Sequence, residues 1–231
     1  MKKLNILMIL LLAILFIEQG FAVDKIALTL KARGITQLKR STEKDFKPNL
    51  KVGTSLFSKD HIKTGKNGYA VLVFLDDKSQ IKIRENSEMV ISGERQDDAI
   101  SKTISMQFGT LKAEVSPQRK GEFIIATPTS VASVKGTVFW VVVIPGVGDI
   151  FYGVEGSIEV TNNESGTVIV VGADQTGTSA PDGDVGVEDT EEGDPPEEEE
   201  EEEEETEPTN TLEFPLQNDQ GDVKNVKVEY K

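Results

Sequence analysis

Short runs of alternating apolar and polar residues fill the chain between residues 25 and 176. Residues 68–75 are mostly apolar, residues 76–79 are turn-forming, and residues 80–84 alternate strictly, so this stretch predicts a β-hairpin with one apolar face. Further strand-like runs occupy residues 25–31, 34–39, 88–92, 102–108, 110–115, 122–126 and 167–171. No stretch after residue 22 has the period of an amphipathic helix.

The run at residues 138–144 is apolar at nearly every position and predicts a strand buried on both faces, with Trp140 in the core. Residues 150–154 and 157–160 predict another hairpin, turning at Glu155–Gly156. Roughly a dozen short strands with turns every ~8–12 residues indicate an all-β body, either a two-sheet sandwich, a barrel or a wrapped β-roll.

The two ends of the chain differ from this body. Residues 1–22 combine a basic start, a short apolar run and small residues before a cleavage site, which predicts a secretory signal peptide cleaved after Ala22. The alternative is an uncleaved anchor helix. The mature chain, from residue 23, is expected to carry no membrane-spanning helix and to be periplasmic or extracellular.

A polar, acidic segment at residues 177–210 predicts a disordered linker, because almost nothing apolar is available for burial. Residues 211–231 return to alternation around a turn and predict a C-terminal β-hairpin. A two-stranded hairpin is marginal alone, so docking on the body or on a partner is expected, the alternative being a frayed tail. The predicted domains are therefore 1–22, 23–176, 177–210 and 211–231.

Charge is confined to one region. The formal net charge is −15, yet residues 182–207 contain 17 acidic residues and no basic one, so removing those 17 charges from −15 leaves +2 for the remainder. The body is therefore nearly neutral, and the acidic segment would repel phosphates, which argues against nucleic-acid binding.

Candidate chemistry is sparse. The chain has no cysteine and one histidine, His61, which excludes disulfides, thiol nucleophiles and Cys/His metal sites. We expect His61 to be a solvent-facing loop residue and Asp76–Asp77 to be turn residues. No catalytic residue, cofactor or metal site is predicted.

The pattern resembles the FecR domain family. The likeness starts with residues 53–65 and continues through residues 70–79, 123–128, 134–139 and 154–160. It covers about residues 25–176, and its most specific part is a Thr-Pro pair followed by Gly-Thr-x-Phe. Eleven residues carry the motif in structural rather than catalytic roles, namely Gly53, Asp60, Ile62, Thr64, Gly65, Thr127, Pro128, Gly136, Thr137, Phe139 and Gly156. Among them, Asp60 and Thr64 are expected to bond backbone amides in turns.

In the regulators that name this family, a periplasmic domain senses an outer-membrane transporter and signals through a membrane helix to a cytoplasmic segment. Here a predicted signal peptide stands where that segment would be. The resemblance therefore implies a non-enzymatic, exported β-domain that binds envelope proteins or surface glycans as a scaffold. The alternatives are an extracytoplasmic sensor contributing to transmembrane signalling and, third, a glycan-active enzyme with two carboxylates.

Overall fold

A computed structural model describes residues 24–118, 120–197, 210–217 and 223–230, and in these residues the backbone forms β-strands and no helix. The all-β prediction is confirmed. The strands are β1 (Lys25–Arg33), β2 (Thr36–Lys39), β3 (Ser55–Phe57), β4 (Asp60–Thr64), β5 (Tyr69–Phe74), β6 (Gln80–Ile83), β7 (Glu88–Gln96), β8 (Ala99–Glu114), β9 (Phe123–Ala126), β10 (Ser130–Val134), β11 (Val138–Ile144), β12 (Gly148–Glu155), β13 (Ser157–Asn162), β14 (Val168–Gly172), β15 (Gln175–Ser179), β16 (Val185–Asp189), β17 (Asn210–Gln217) and β18 (Val223–Tyr230).

Hydrogen bonds join β1 to β16 into one mixed sheet that does not close into a barrel. The strands of this network branch at β8 into two layers, which we call the first and the second sheet and which share β8. The first sheet has the order β3-β1-β5-β6-β8-β11-β12-β15-β16. The second has the order β2-β4-β7-β8-β9-β10-β13-β14, in which β8 and β9 are the parallel pair. The predicted hairpin is present as β5 paired with β6.

Strand β8 changes sheets at Gly109. Residues up to Phe108 pair with β7, whereas Gly109 and the residues after it pair with β11. Gly109 has φ = 107°, and a Cβ there would lie 2.4 Å from the Cα of Ser87. The Ser87 hydroxyl fills that space and accepts a hydrogen bond from the Thr110 amide at 2.9 Å. Glycine is therefore required at this bend, where both the positive φ and the close approach exclude a side chain.

The two sheets face each other across one apolar core. Alternate residues of each strand point inward, as the period-two pattern requires. Phe74 of the first sheet meets Phe123 of the second edge to face, with ring centroids 5.8 Å apart. Phe139 and Phe151 are also fully buried in this core. The apolar core joins the two layers and leaves two outer faces for polar residues.

The predicted pairing of residues 150–154 with 157–160 is wrong. Strand β12 pairs with β11 and β15 in the first sheet, whereas β13 pairs with β10 and β14 in the second. Gly156, between them, has φ = 76° and lies close to Gly136, because a Cβ on Gly156 would sit 2.8 Å from the Gly136 carbonyl. The chain thus turns a corner between sheets here instead of folding back on itself.

The predicted start of the disordered linker is also wrong. Strands β15 and β16 continue the first sheet through Asp189, and the first compact unit extends to Pro195. An edge strand such as β16 is held by backbone hydrogen bonds to one neighbour, so it needs little apolar content. Composition alone therefore hid two strands inside an acidic stretch.

The second compact unit, residues 196–231, contains β17 and β18. They pair antiparallel with Leu212 opposite Val228 and Phe214 opposite Val226, so the C-terminal hairpin forms with the predicted alternation. The predicted signal peptide, residues 1–22, and all but the first residue of the glutamate run lie outside the described residues.

Candidate functional site

The outer face of the first sheet collects basic and aromatic side chains, and we call it the basic face. Inner positions of its strands belong to the apolar core, so the alternate positions point outward. The outward residues that define the basic face are Lys31, Arg33, Tyr69, Lys82, Arg84, Lys112, Trp140 and Tyr152.

Cross-strand register places these residues in rows. Lys82 lies opposite Lys112, Lys112 lies opposite Trp140, and Trp140 lies opposite Tyr152. Directly opposite residues on one face are close enough to interact. The sheet thus builds a continuous strip, cationic at one end and aromatic at the other, from residues that are far apart in sequence.

Cations stack on aromatic rings at both ends of the basic face. The Arg33 guanidinium lies 5.0 Å from the centroid of Tyr69. The Lys112 ammonium lies 5.8 Å from the centroid of Trp140. Both distances fall within the range of cation–π attraction. These contacts order the cations and present flat rings beside them.

Glu114 lies among these cations. Its Oε1 atom is 2.7 Å from Lys82 Nζ and 3.7 Å from Lys112 Nζ. Burial, with help from the nearby Lys82 charge, lowers the pKa of Lys112, while Glu114 opposes that change.

Trp140 is 4% exposed but does not belong to the inter-sheet core. The prediction that Trp140 lies in the core is wrong, because its buried side chain lies on the outer face and not between the sheets. Tyr152, next to it, is half-buried, and burial together with the charge of Asp194 raises the pKa of its hydroxyl. The segment after β16 therefore passes close to the aromatic end of the basic face.

The tryptophan and the tyrosines of the first compact unit share one surface. Trp140, Tyr69 and Tyr152 occupy the basic face, whereas four phenylalanines lie in the core, namely Phe74, Phe123, Phe139 and Phe151. Tryptophan and tyrosine combine a flat apolar ring with a polar group and are enriched where proteins bind ligands. This distribution favours a binding surface over a purely structural one.

The outer face of the second sheet is different. His61 lies in β4, with its Nε2 atom 3.1 Å from Glu88 Oε1 and its ring 4.8 Å from that of Phe46. The prediction of a solvent-facing loop histidine is therefore wrong, because β4 is an inner strand paired with β2 and β7. Burial, with a smaller contribution from Lys39, lowers the pKa of His61.

The FecR-motif residues from the first half of the chain support turns and core. Asp60 is buried and accepts a hydrogen bond from the Phe57 amide at 2.9 Å, while Arg40 also binds its carboxylate. The Thr64 hydroxyl accepts from the Ser87 amide at 3.0 Å. These are the amide bonds that the sequence predicts for Asp60 and Thr64. The other three motif residues of this half are Ile62, Gly53 and Gly65. Ile62 is a core residue, Gly53 has a positive φ, and the Gly65 amide donates a hydrogen bond to the Ile35 carbonyl.

The motif residues of the second half are equally dispersed. Thr137 donates its hydroxyl to the Ser157 carbonyl at 3.0 Å, and Phe139 is fully buried. Gly136 and Gly156 both have positive φ, and Pro128 is exposed. The eleven residues thus do not converge on one site.

Thr127 takes part in a buried cluster that sequence reasoning missed. Its hydroxyl donates to the Asp149 Oδ2 atom at 2.5 Å, and the Ser130 hydroxyl also binds that oxygen. Asp149 is 2% exposed, and burial raises its pKa although these two hydroxyls oppose the change. Nothing in the alternation pattern marks Asp149, because it lies 19 residues from Ser130 in sequence.

Within the described ranges, no group of acidic and histidine side chains has the arrangement of a metal site. The same part of the chain contains no helix of the length and apolarity needed to cross a bilayer.

The fold is a β-sandwich with basic and aromatic side chains on one outer face. Comparison with family models finds a match between residues 60–172 and FecR protein. The predicted resemblance to the FecR domain family is therefore confirmed over this segment.

Two solved structures resemble the chain, each described as a putative anti-sigma factor from Parabacteroides distasonis ATCC 8503, at 2.50 and 1.65 Å resolution. Both share 16% sequence identity with it, with TM-scores of 0.48 and 0.47. The match covers 56% of this chain and 59% of each of those chains. No curated protein matches the chain.

Proposed function

We propose that this protein is an exported, non-enzymatic binding module of the cell envelope, and that its basic face binds an anionic glycan. The observation that carries the proposal is the coincidence of five cations with three Trp/Tyr rings on one sheet face. Aromatic rings pack against the apolar faces of sugars, and the adjacent cations pair with carboxylate, sulfate or phosphate groups.

The test uses the full chain and two soluble probes, dextran sulfate and uncharged dextran. We expect dextran sulfate to bind and dextran to bind far more weakly. Binding should weaken with added salt, because contacts between exposed charges are screened. The acidic segment repels the same probe, so measurements at two salt concentrations separate long-range repulsion from contact.

The decisive variant is the double substitution Lys82→Glu/Arg84→Glu, compared with Lys39→Glu/Lys63→Glu on the other outer face. We expect the first pair to reduce affinity at least about tenfold, equivalent to about 1.4 kcal/mol, and the second to have little effect. Equal losses in both double variants would show that only overall charge matters and would refute a role for the basic face.

The FecR domain supports a second candidate, an extracytoplasmic sensor that contributes to transmembrane signalling. This function requires a membrane-protein partner in the envelope. A photo-crosslinking residue at Tyr69, compared with one at the exposed Ser133 of the second sheet, tests it in cells. One specific membrane protein captured at Tyr69 and not at Ser133 would favour the sensor over the glycan-binding module.

A further inference from the structure

Among the described residues, Lys102 is the largest charged side chain to be fully buried, with 0% of it exposed. It belongs to the part of β8 that lies in the second sheet, between β7 and β9. Its ammonium group reaches across the core to the turn that joins β5 and β6 of the first sheet, where Asp76 and Asp77 lie. A fully buried lysine is rare unless it is paired, so this contact needs an explanation.

Three acceptors surround the Lys102 nitrogen. Nζ lies 2.7 Å from Asp76 Oδ2, 2.9 Å from Asp77 Oδ2 and 3.0 Å from the Ile100 carbonyl oxygen. The ring of Phe74 is 5.5 Å away and forms an apolar wall. The nitrogen is therefore within hydrogen-bond distance of two carboxyl groups, of which the Asp76 side chain is 5% exposed and the Asp77 side chain 18% exposed.

The two carboxyl groups are held differently. Asp77 uses both oxygens, since Oδ1 accepts from the Ser79 amide at 2.9 Å and Oδ2 accepts from the Gln118 side-chain amide at 2.5 Å. Asp76 uses one oxygen, since Oδ2 accepts from the Ile100 amide at 2.9 Å while Oδ1 is buried without a hydrogen-bond partner.

An unpartnered oxygen on a buried carboxyl group is costly as a permanent feature of an ion pair. It is, however, the atom that must leave if Asp76 is converted to an amide. We propose that Lys102 and Asp76 condense spontaneously into an isopeptide bond, with Asp77 carrying protons between them.

The reaction balances within this cluster. Transfer of a proton from the Lys102 ammonium to Asp77 leaves a neutral amine and removes two charges from an apolar site. The amine attacks Asp76 Cγ, while the Ile100 amide stabilises the charge that develops on Oδ2. The two protons lost by nitrogen leave with Oδ1, the C–Oδ1 bond breaks, and the products are one amide, one water molecule and an ionised Asp77.

Proximity and exclusion of water both favour the product. The reacting groups are preorganised by the fold, which replaces a bimolecular encounter with an intramolecular step. An amide between the fully buried Lys102 and the 5% exposed Asp76 is protected from hydrolysis because little water reaches it. The bond would join residues 26 positions apart and covalently link the two sheets in a chain that has no cysteine and thus no disulfide.

The test is mass spectrometry of a tryptic digest of the folded full chain. Trypsin does not cut at a modified lysine, so the expected product is residues 67–78 joined to residues 96–112, lighter than the sum of the two peptides by one water molecule. Fragmentation should place the link on Asp76. Free residues 67–78 together with cleavage after Lys102, in protein held folded for days, would overturn the proposal, as would a link placed on Asp77.

Three variants sharpen the result. Asp77→Asn keeps the side-chain volume but cannot carry the proton, so the branched peptide should be lost or form much more slowly. Asp76→Asn should yield the same branched peptide with loss of ammonia. Lys102→Arg keeps the charge and should give no link. A branched peptide at unchanged rate in Asp77→Asn would contradict the assigned role of Asp77.

The Lys120–Asp98 pair is an internal control in the same digest. Its nitrogen and oxygen are 3.0 Å apart, but both side chains are mostly exposed. We expect normal cleavage after Lys120, because proximity without an apolar, closed site does not drive condensation. Cross-links at both pairs would indicate an artefact of handling and count against the proposal.

Discussion

The β5–β6 turn and the loop from Thr127 to Ser130 both bury carboxyl groups, but they compensate them by different means. Asp76 and Asp77 face a cation, Lys102. Asp149 faces two hydroxyls, from Thr127 and Ser130, and no cation contacts it among the described residues. The comparison teaches that this fold tolerates buried acids in two electrostatic states, one favouring ionisation and one opposing it.

The pKa values of the two clusters reflect that difference. For Asp77, burial opposes ionisation, but hydrogen bonds from Gln118, Lys102 and the Ser79 amide outweigh it and lower the pKa. For Asp149, burial outweighs the two hydroxyl bonds and raises the pKa. A hydroxyl donates a weaker bond to a carboxylate than an ammonium does, so it compensates less of the desolvation cost.

The largest expected effect comes from removing the cation. Lys102→Met leaves two buried carboxyl groups without their partner and should destabilise the fold by about 3–5 kcal/mol in urea unfolding. The matched control is Lys120→Met at an exposed pair, which should change stability little. Similar losses in both variants would contradict the special role assigned to Lys102.

A further variant separates charge from packing at this cluster. Adding Asp76→Asn and Asp77→Asn to Lys102→Met removes the uncompensated charges, so the electrostatic part of the lost stability should return, whereas stability lost with the proposed isopeptide bond should not. A triple variant as unstable as Lys102→Met would mean that the cluster stabilises the fold through packing or the cross-link and not through charge balance.

An intermediate effect is expected at the hydroxyl-bound acid. Asp149→Ala leaves the hydroxyls of Thr127 and Ser130 without their shared acceptor and should cost about 1–3 kcal/mol. Asp149→Asn retains an acceptor oxygen and should cost less. The measurement is again the free energy of unfolding, and equal costs for the two variants would argue against a hydrogen-bonding role.

The smallest expected effect, below about 2 kcal/mol, is on how the free energy of unfolding depends on pH through Asp77 and Asp149. Because the pKa of Asp77 is lowered on folding, it stabilises the protein above the unfolded value of 3.8, and this contribution is lost as the pH falls through the folded pKa. Because the pKa of Asp149 is raised, its contribution is present below 3.8 and is lost as the pH rises through the folded pKa.

Stability of Asp77→Asn and Asp149→Asn, each relative to the parent protein, should therefore change in opposite directions between about pH 7 and pH 3. Acidification should shrink the deficit of Asp77→Asn and enlarge that of Asp149→Asn. Parallel pH curves for the two variants would show that the two carboxyl groups have the same electrostatic environment.

Much of the architecture was predictable because it follows local rules. Alternation identified the β5–β6 hairpin and the C-terminal pair β17–β18, and the apolar run of β11 marked a buried strand. The errors came where pairing is not local. The sequence pattern of β12 and β13 predicts a hairpin, but alternation alone does not determine which sheet each strand joins.

The basic face was less predictable than the fold. Lys82, Lys112 and Trp140 look like ordinary strand residues in sequence, and only their register places them side by side. The same holds for Lys102, whose alternation pattern gives no sign that it reaches a turn in the other sheet. Both sites depend on contacts between residues more than 20 positions apart.

By itself, the sequence determined that this chain forms short β-strands, carries the FecR motif and confines its excess charge to one segment. These properties depend on neighbouring residues, through side-chain alternation, turn chemistry and local charge. Only the tertiary structure decided how β8 is shared between two sheets, which cations meet aromatic rings, and how Lys102 meets Asp76 and Asp77. Those features arise from long-range packing, in which burial strengthens electrostatic interactions that no local pattern encodes.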